Sequence, residues 1–165
     1  YSPSWCGLAD WVAELDDPTL GNAECPSQVQ AVVDWFGPTN FLKMDAQLAE
    51  SGLAPAPAFA HNGANSPESL LLGRRITEVP DLVSAANPES YLGENAPPFF
   101  VQHGDIDEIV PYQQSAYFVA CAQVLLGVSR VQFELLPRAG HADPAFSTPD
   151  NVQKVLAFLD QALCA

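Results

Sequence analysis

Positive charge is the scarcest feature of this 165-residue chain: six Lys and Arg stand against twenty Asp and Glu, a net charge of −14. A surface of that sign repels polyphosphate, which argues against nucleic-acid binding. Long apolar runs are missing too. No stretch reaches the roughly 18 consecutive apolar residues that a membrane-spanning helix needs, and the residues from Tyr1 onward read as neither a secretory nor a transit peptide. The expectation is a soluble chain without a membrane partner, from which any targeting segment has gone. Cysteine is sparse, and its spacing excludes more than its number does. Cys6, Cys25, Cys121 and Cys164 include no C-x-x-C pair and lie too far apart for a zinc knuckle, so a metal site is not expected. The even count permits two disulfides, most economically Cys6 with Cys25 and Cys121 with Cys164. The alternative keeps Cys121, within Phe118-Val119-Ala120-Cys121, as a buried thiol.

What is present points to a folded domain. Apolar residues make up 48% of the chain, enough to bury a core, and the length suits one domain at most. Fifteen prolines and few lysines describe a surface of fixed turns, which suits a secreted protein. Three runs rich in β-branched and aromatic residues read as strands: Val29 to Phe36, Pro98 to His103, and Val131 to Leu136, each ended by Gly or Pro. Helical spacing follows the second, with Pro111 as a first helical position and Ala116, Val119, Ala120, Val124 and Leu125 on one face. A last amphipathic helix starts at Thr148-Pro149-Asp150 and carries Val152, Val155, Leu156, Leu159 and Leu163. Between them, residues 50–97 are cut into short pieces by proline. Two pieces echo one another, Ser66-Pro67-Glu68-Ser69 and Asn87-Pro88-Glu89-Ser90, each a cap residue, a proline and an acid. Strand, helix, strand, helix is an α/β layer structure with parallel strands. Three strands are few for that class and leave an edge in want of a partner, so the chain reads as half of a larger sheet, stable only when docked on the rest.

The residues suited to chemistry lie just after the second and third strands. In His103-Gly104-Asp105-Ile106-Asp107-Glu108-Ile109-Val110-Pro111, an acid held in a turn at a strand's carboxyl end can orient an imidazole from a neighbouring loop. Gly140-His141-Ala142-Asp143 supplies the imidazole, with a small residue ahead of it to admit it to a crowded site. Taken singly, Asp107 could be a turn residue, Asp105 beside it could do the same work, and His141 could be a loop histidine satisfied by backbone. Together they form an acid–histidine pair. His103 reads as structural, and His61, among Asn, Gly and Ala, as a surface-loop residue. Trp35, Phe36, Phe99 and Phe100 read as core aromatics before ligand contacts. Trp5 and Trp11 suit either an aromatic acyl pocket or cover for the sheet edge. Glu14-Leu15-Asp16-Asp17 has no D-x-D-x-D-G pattern and reads as a solvated turn.

Read together, VQAVVDWFGPTNFLKMD from Val29, SPESLLLG from Ser66, PPFFVQHGDIDEIVPYQQS from Pro97, and Gly140-His141 resemble the carboxyl-terminal half of an α/β-hydrolase serine esterase. The feruloyl and acetyl-xylan esterase type is nearest, with lipases, dienelactone hydrolases and prolyl-oligopeptidase-like peptidases further off. The resemblance covers about residues 12–165, while Tyr1 to Trp11 fits it poorly. It implies a Ser, Asp, His order along the chain, with Asp107 as the acid and His141 as the base. It implies no metal or organic cofactor, because triad and oxyanion hole suffice. No G-x-S-x-G and no H-G-G-type loop occurs in these residues. Residues 1–165 therefore read as the carboxyl-terminal portion of a single domain. An upstream segment or a second chain would carry the nucleophile, since Ser2 and Ser4 lack the flanking glycines of an elbow. The implied activity is hydrolysis of a carboxylic ester, with acetyl or feruloyl esters of plant polysaccharide as first substrates and this segment inactive alone. The alternatives are a prolyl-oligopeptidase-like peptidase with the same site and a non-catalytic binding module that keeps the fold.

Overall fold

The computed structural model describes Thr19, residues 28–53 and residues 60–164. Three strands, β1 (Val32–Trp35), β2 (Phe99–Gly104) and β3 (Val131–Leu136), form a parallel sheet in the order β1-β2-β3. β2 pairs on both sides, Val32 opposite Phe99 and Phe99 opposite Val131, and is buried throughout, as a parallel strand covered on both faces should be. Among the described residues are five α-helices: α1 (Met44–Glu50), α2 (Pro67–Leu72), α3 (Pro80–Ala86), α4 (Gln113–Leu126) and α5 (Pro149–Leu163). Among the described residues no helix is long and apolar enough to cross a membrane.

The pleat of β2 sends alternate side chains to opposite faces. Phe99 and Val101 meet Phe118, Val119, Ala122 and Leu126 of α4, with the Phe99 and Phe118 rings 5.3 Å apart. Phe100 and Gln102 turn the other way, onto Phe158 and Asn151 of α5. The two long helices thus cover opposite faces. Gln102 is fully buried and fully used. Its Oε1 accepts from Trp35 Nε1 (2.8 Å) and Asn151 Nδ2 (3.1 Å), and its Nε2 donates to Glu134 (2.8 Å) and Asn151 (2.7 Å). One amide so ties all three strands to α5, at no cost in unpaired polar groups.

Several expectations are corrected. β1 is shorter than Val29 to Phe36: Val29 is exposed, pairing begins where Val32 N–H donates to Pro98 O, and Phe36 leaves the strand at φ 49°. α4 starts at Gln113, two residues after Pro111, and buries Ser115, Phe118, Val119, Ala122 and Leu126. Of the expected face only Val119 is buried, and Val124 is 85% exposed. This helix is apolar nearly all round, so spacing alone does not choose its phase; the bulk of Phe118 against Phe99 does. In α5, Thr148 caps the Asn151 N–H as expected, yet Phe158 carries the packing while Val152, Leu156 and Leu163 are exposed. The two echoing segments differ: Ser66 caps α2 through the Ser69 N–H, whereas Asn87 Oδ1 accepts instead from Phe41 N–H (3.1 Å).

Cys121 and Cys164 are both exposed free thiols, which overturns their pairing and also the buried-thiol alternative. Cys121 lies within α4 and Cys164 just past the end of α5, the helices that cover opposite faces of the sheet. Cys6, Cys25, Ser2, Ser4, Trp5, Trp11 and Glu14 to Asp17 lie outside the described residues.

Candidate active site

The carboxyl ends of all three strands meet at one edge, where open α/β sheets bind their ligands. After β2 the chain turns at once. Asp105 N–H donates to Leu136 O, Ile106 N–H to Ala139 O, and Asp105 Oδ1 accepts from the N–H of Arg138, a residue at φ 58°. These bonds lace the acid's loop to the loop that follows β3. Asp105 is thus occupied in the turn and does not share the work of Asp107.

Asp107 is buried, its side chain fully so. Oδ1 accepts from the N–H groups of Ile109 and Val110, both at 2.9 Å. Oδ2 faces two histidines, His141 Nδ1 at 2.8 Å and His103 Nε2 at 3.3 Å. Burial by itself pushes this carboxyl up. The hydrogen bonds from His103, His141 and the Ile109 amide outweigh it and hold Asp107 well below the usual carboxylate range. A carboxyl held low contributes stability above its unfolded value of about 4, and that contribution is lost as pH falls through the lower folded value. Acidifying the full-length protein below about pH 4 is therefore expected to shrink the difference in urea midpoint between it and its Asp107→Asn variant. A difference that stays constant down to pH 2 would contradict the assignment.

His141 is the exposed member of the pair, with 28% of its side chain accessible. A carboxylate only accepts, so Nδ1 carries the proton and the lone pair is left on Nε2. Among the described residues Nε2 has no hydrogen-bond partner. The Phe36 ring lies against the imidazole, edge to face at 4.6 Å, and is backed by Phe146 at 4.7 Å. Phe36 packs, partly buried, against the core cluster of Leu136, Ala139 and Phe146, as expected, and its positive φ at the end of β1 also brings the ring onto the histidine. The Phe36-Gly37-Pro38 turn was the available signal for this. The glycine that matters is also a different one. A Cβ on Gly140 would meet nothing within 4 Å, whereas one on Gly104 would fall 2.2 Å from Ala139 O. The crowding lies under the histidine's loop, not beside the ring.

His103 is structural, as expected: fully buried, with Nε2 2.8 Å from Val110 O and Nδ1 2.7 Å from Ser115 Oγ. Phe99 and Phe100 are core residues, and Trp35 is half-buried against Phe146. His61 is not a surface residue. It is 3% exposed, packed between α1, α2 and the acid's loop. Among the described residues no group of three or more His, Cys, Asp or Glu side chains is placed to hold a metal ion.

Parts of the sequence and the fold are similar to those of known proteins. The BD-FAE family profile matches residues 4–121, a span that reaches Asp107 and stops short of His141. It takes in Ser4 to Trp11, which the resemblance had fitted poorly. Esterase LipQ of Mycobacterium tuberculosis (strain ATCC 25618 / H37Rv) is 41% identical over 75 residues, 46% of this chain and 18% of that protein. Esterase LipC of the same organism is 38% identical over 100 residues, 57% of this chain and 24% of that protein. The chain thus spans no more than about a quarter of these curated relatives. Among solved structures, a bifunctional GH43-CE protein of Bacteroides eggerthii superposes with a TM-score of 0.79 at 27% identity, over 97% of this chain and 20% of that one. A truncated carbohydrate esterase from gut microbiota superposes with a TM-score of 0.74 at 28% identity, over 97% of this chain and 55% of that one. Parallel strands flanked by helices, in the α/β-hydrolase manner, are the fold of this chain. With more than half its length inside the family match, the chain belongs to the BD-FAE family.

Proposed function

We propose that this chain supplies the acid and base of a carboxylic-ester hydrolase that works through a Ser–His–Asp triad and an acyl-enzyme. The observation that carries the reading is the 2.8 Å bond between buried Asp107 and His141, which leaves Nε2 of the ring open. In this reading Nε2 takes the proton of a serine hydroxyl as its oxygen attacks the ester carbonyl. The imidazolium then returns that proton to the departing alcohol, and water hydrolyses the acyl-enzyme by the same route. Asp107 fixes the tautomer and stabilises the charged ring, and holding it ionised suits that task.

The serine is assigned to a segment upstream of Tyr1, because no G-x-S-x-G lies within residues 1–165. These residues are then the carboxyl-terminal portion of one hydrolase domain, inactive alone. Acetyl or feruloyl esters of plant polysaccharide are the proposed substrates, supported by the carbohydrate esterase among the similar structures. A secreted enzyme is proposed from the excess of acid and proline. The test is to treat the natural full-length protein with a fluorophosphonate, locate the modified residue by mass spectrometry, and assay acetyl-xylan, methyl ferulate and a proline-containing amide. One labelled serine outside residues 1–165, with ester cleavage above amide cleavage, is expected. Label on Ser2 or Ser4 would move the nucleophile into this segment, faster amide cleavage would make the protein a peptidase, and no label would leave a binding module.

A further inference from the structure

His61 and Glu68 form a buried polar cluster apart from the Asp107–His141 pair. Glu68 lies in the first turn of α2, with its side chain 10% exposed. The segment is anchored by Asp45 of α1, whose Oδ1 and Oδ2 accept from the N–H groups of His61 (2.8 Å) and Asn62 (2.9 Å). The His61 ring lies between two acceptors: Nε2 is 2.7 Å from Ile109 O, in a hydrogen bond, and Nδ1 faces Glu68 Oε1 at 3.1 Å, within ion-pair distance but without the alignment of a hydrogen bond. A carbonyl and a carboxylate both accept, so a ring protonated on both nitrogens suits them together. Burial lowers the affinity of this ring for its second proton. The Glu68 carboxylate, the Ile109 carbonyl and the more distant Asp45 outweigh it and raise His61 above its usual value.

The consequence lies in the Ile109–Val110 peptide unit. Its carbonyl is held by His61, and its N–H, that of Val110, donates to Asp107 Oδ1. One peptide plane therefore separates His61 from the acid, and hydrogen bonds at its two ends polarise it in the same sense. The next carbonyl, Val110 O, is held by the second buried imidazole, His103. Without these two donors both carbonyls would lose the partners that the structure gives them, Val110 O in a fully buried site.

We propose that His61 is a positioning residue for Asp107: gripping the Ile109 carbonyl, and held in turn by Glu68, it sets where the carboxylate meets His141. The proposal rests on the triad reading above for its effect on turnover, but not for its effect on the Asp107–His141 bond.

The test compares His61→Gln and His61→Asn in the full-length protein. A glutamine amide reaches the place of Nε2 and can still donate to Ile109 O, whereas asparagine stops short and keeps a polar group only beside Glu68. With methyl ferulate, His61→Asn is expected to lower kcat about 10- to 100-fold with KM changed less than about threefold, the cost of a small misplacement of a catalytic group. His61→Gln is expected to recover kcat to within about threefold. The second readout is the downfield proton resonance of His141 Nδ1–H, which reads the bond to Asp107 without turnover. It should shift or vanish in His61→Asn and persist in His61→Gln. Equal behaviour of the two variants in both readouts overturns the proposal. Glu68→Gln keeps the shape of its side chain and removes the charge that holds His61. An unchanged resonance in that variant overturns the proposal even if His61→Asn does not fold. If the triad reading were wrong, His141→Ala would stay active, and the resonance would still decide the role of His61.

Discussion

His141→Ala in the full-length protein is expected, on the triad reading, to lower kcat by about a millionfold, to the level that an oxyanion hole and binding alone would leave. The structure makes this substitution a clean one. The ring is partly exposed, and among the described residues its only hydrogen bond goes to Asp107 and its one aromatic neighbour in contact is Phe36. Folding should survive the loss, so a native urea midpoint with turnover gone is the expected pair of results. Asp107→Asn should fall less far in rate, about ten-thousandfold, but further in stability. The Asn carbonyl can still accept from Ile109 and Val110, but its amide then presents N–H to Nδ1 of His141 and to Nε2 of His103. The first contact favours the wrong tautomer of the base. The second sets donor against donor at 3.3 Å in a fully buried site. Initial rates on a feruloyl ester, with urea titrations of both variants, check the two expectations. A His141→Ala enzyme with undiminished kcat would remove the histidine from the reaction and with it the whole assignment.

The Asp107–His141 pair was legible for a physical reason: both residues sit in short turns after strands that Gly and Pro delimit sharply. β3 runs from Val131 to Leu136 as read, because Pro137 ends it and β-branched and aromatic residues fill it. What was hidden depends on contacts between distant segments. The phase of α4 is fixed by Phe118 against Phe99, and no local pattern distinguishes that stripe from its neighbour. His61 looks like a loop residue among Asn, Gly and Ala. Its burial comes from Asp45, Glu68 and Ile109, which three different elements bring to it. Gln102 sits in an apolar run where a hydrophobic residue was equally acceptable, and only the positions of Trp35, Glu134 and Asn151 give it work. Phe36 depended on a single dihedral angle.

Gly104→Ala is expected to produce the second-largest effect, from a single methyl group. Gly104 ends β2, and the added Cβ would lie 2.2 Å from Ala139 O, 2.7 Å from Ala139 C and 3.0 Å from Gly140 O. All three atoms are backbone, so no side-chain rotation relieves the clash and the chain itself must move. The segment that would move leads directly into His141. Ile106 N–H also binds Ala139 O, so a displaced carbonyl disturbs the acid's loop in the same step. Overpacking of this kind costs about 1–3 kcal/mol. A shift of about 1 Å between Asp107 and His141 costs on the order of a hundredfold in kcat. Gly140→Ala is the matched comparison, directly before His141 in the chain but with open space where its Cβ would stand. It should leave the unfolding free energy from urea titration within about 0.5 kcal/mol of the parent's. If the site is set by the approach of the two loops, Gly104→Ala should lose both rate and stability while the substitution closer to the histidine loses little of either. If instead Gly140→Ala proved the more damaging, the constraint would lie around the imidazole, and the two loops would be free to part without harm.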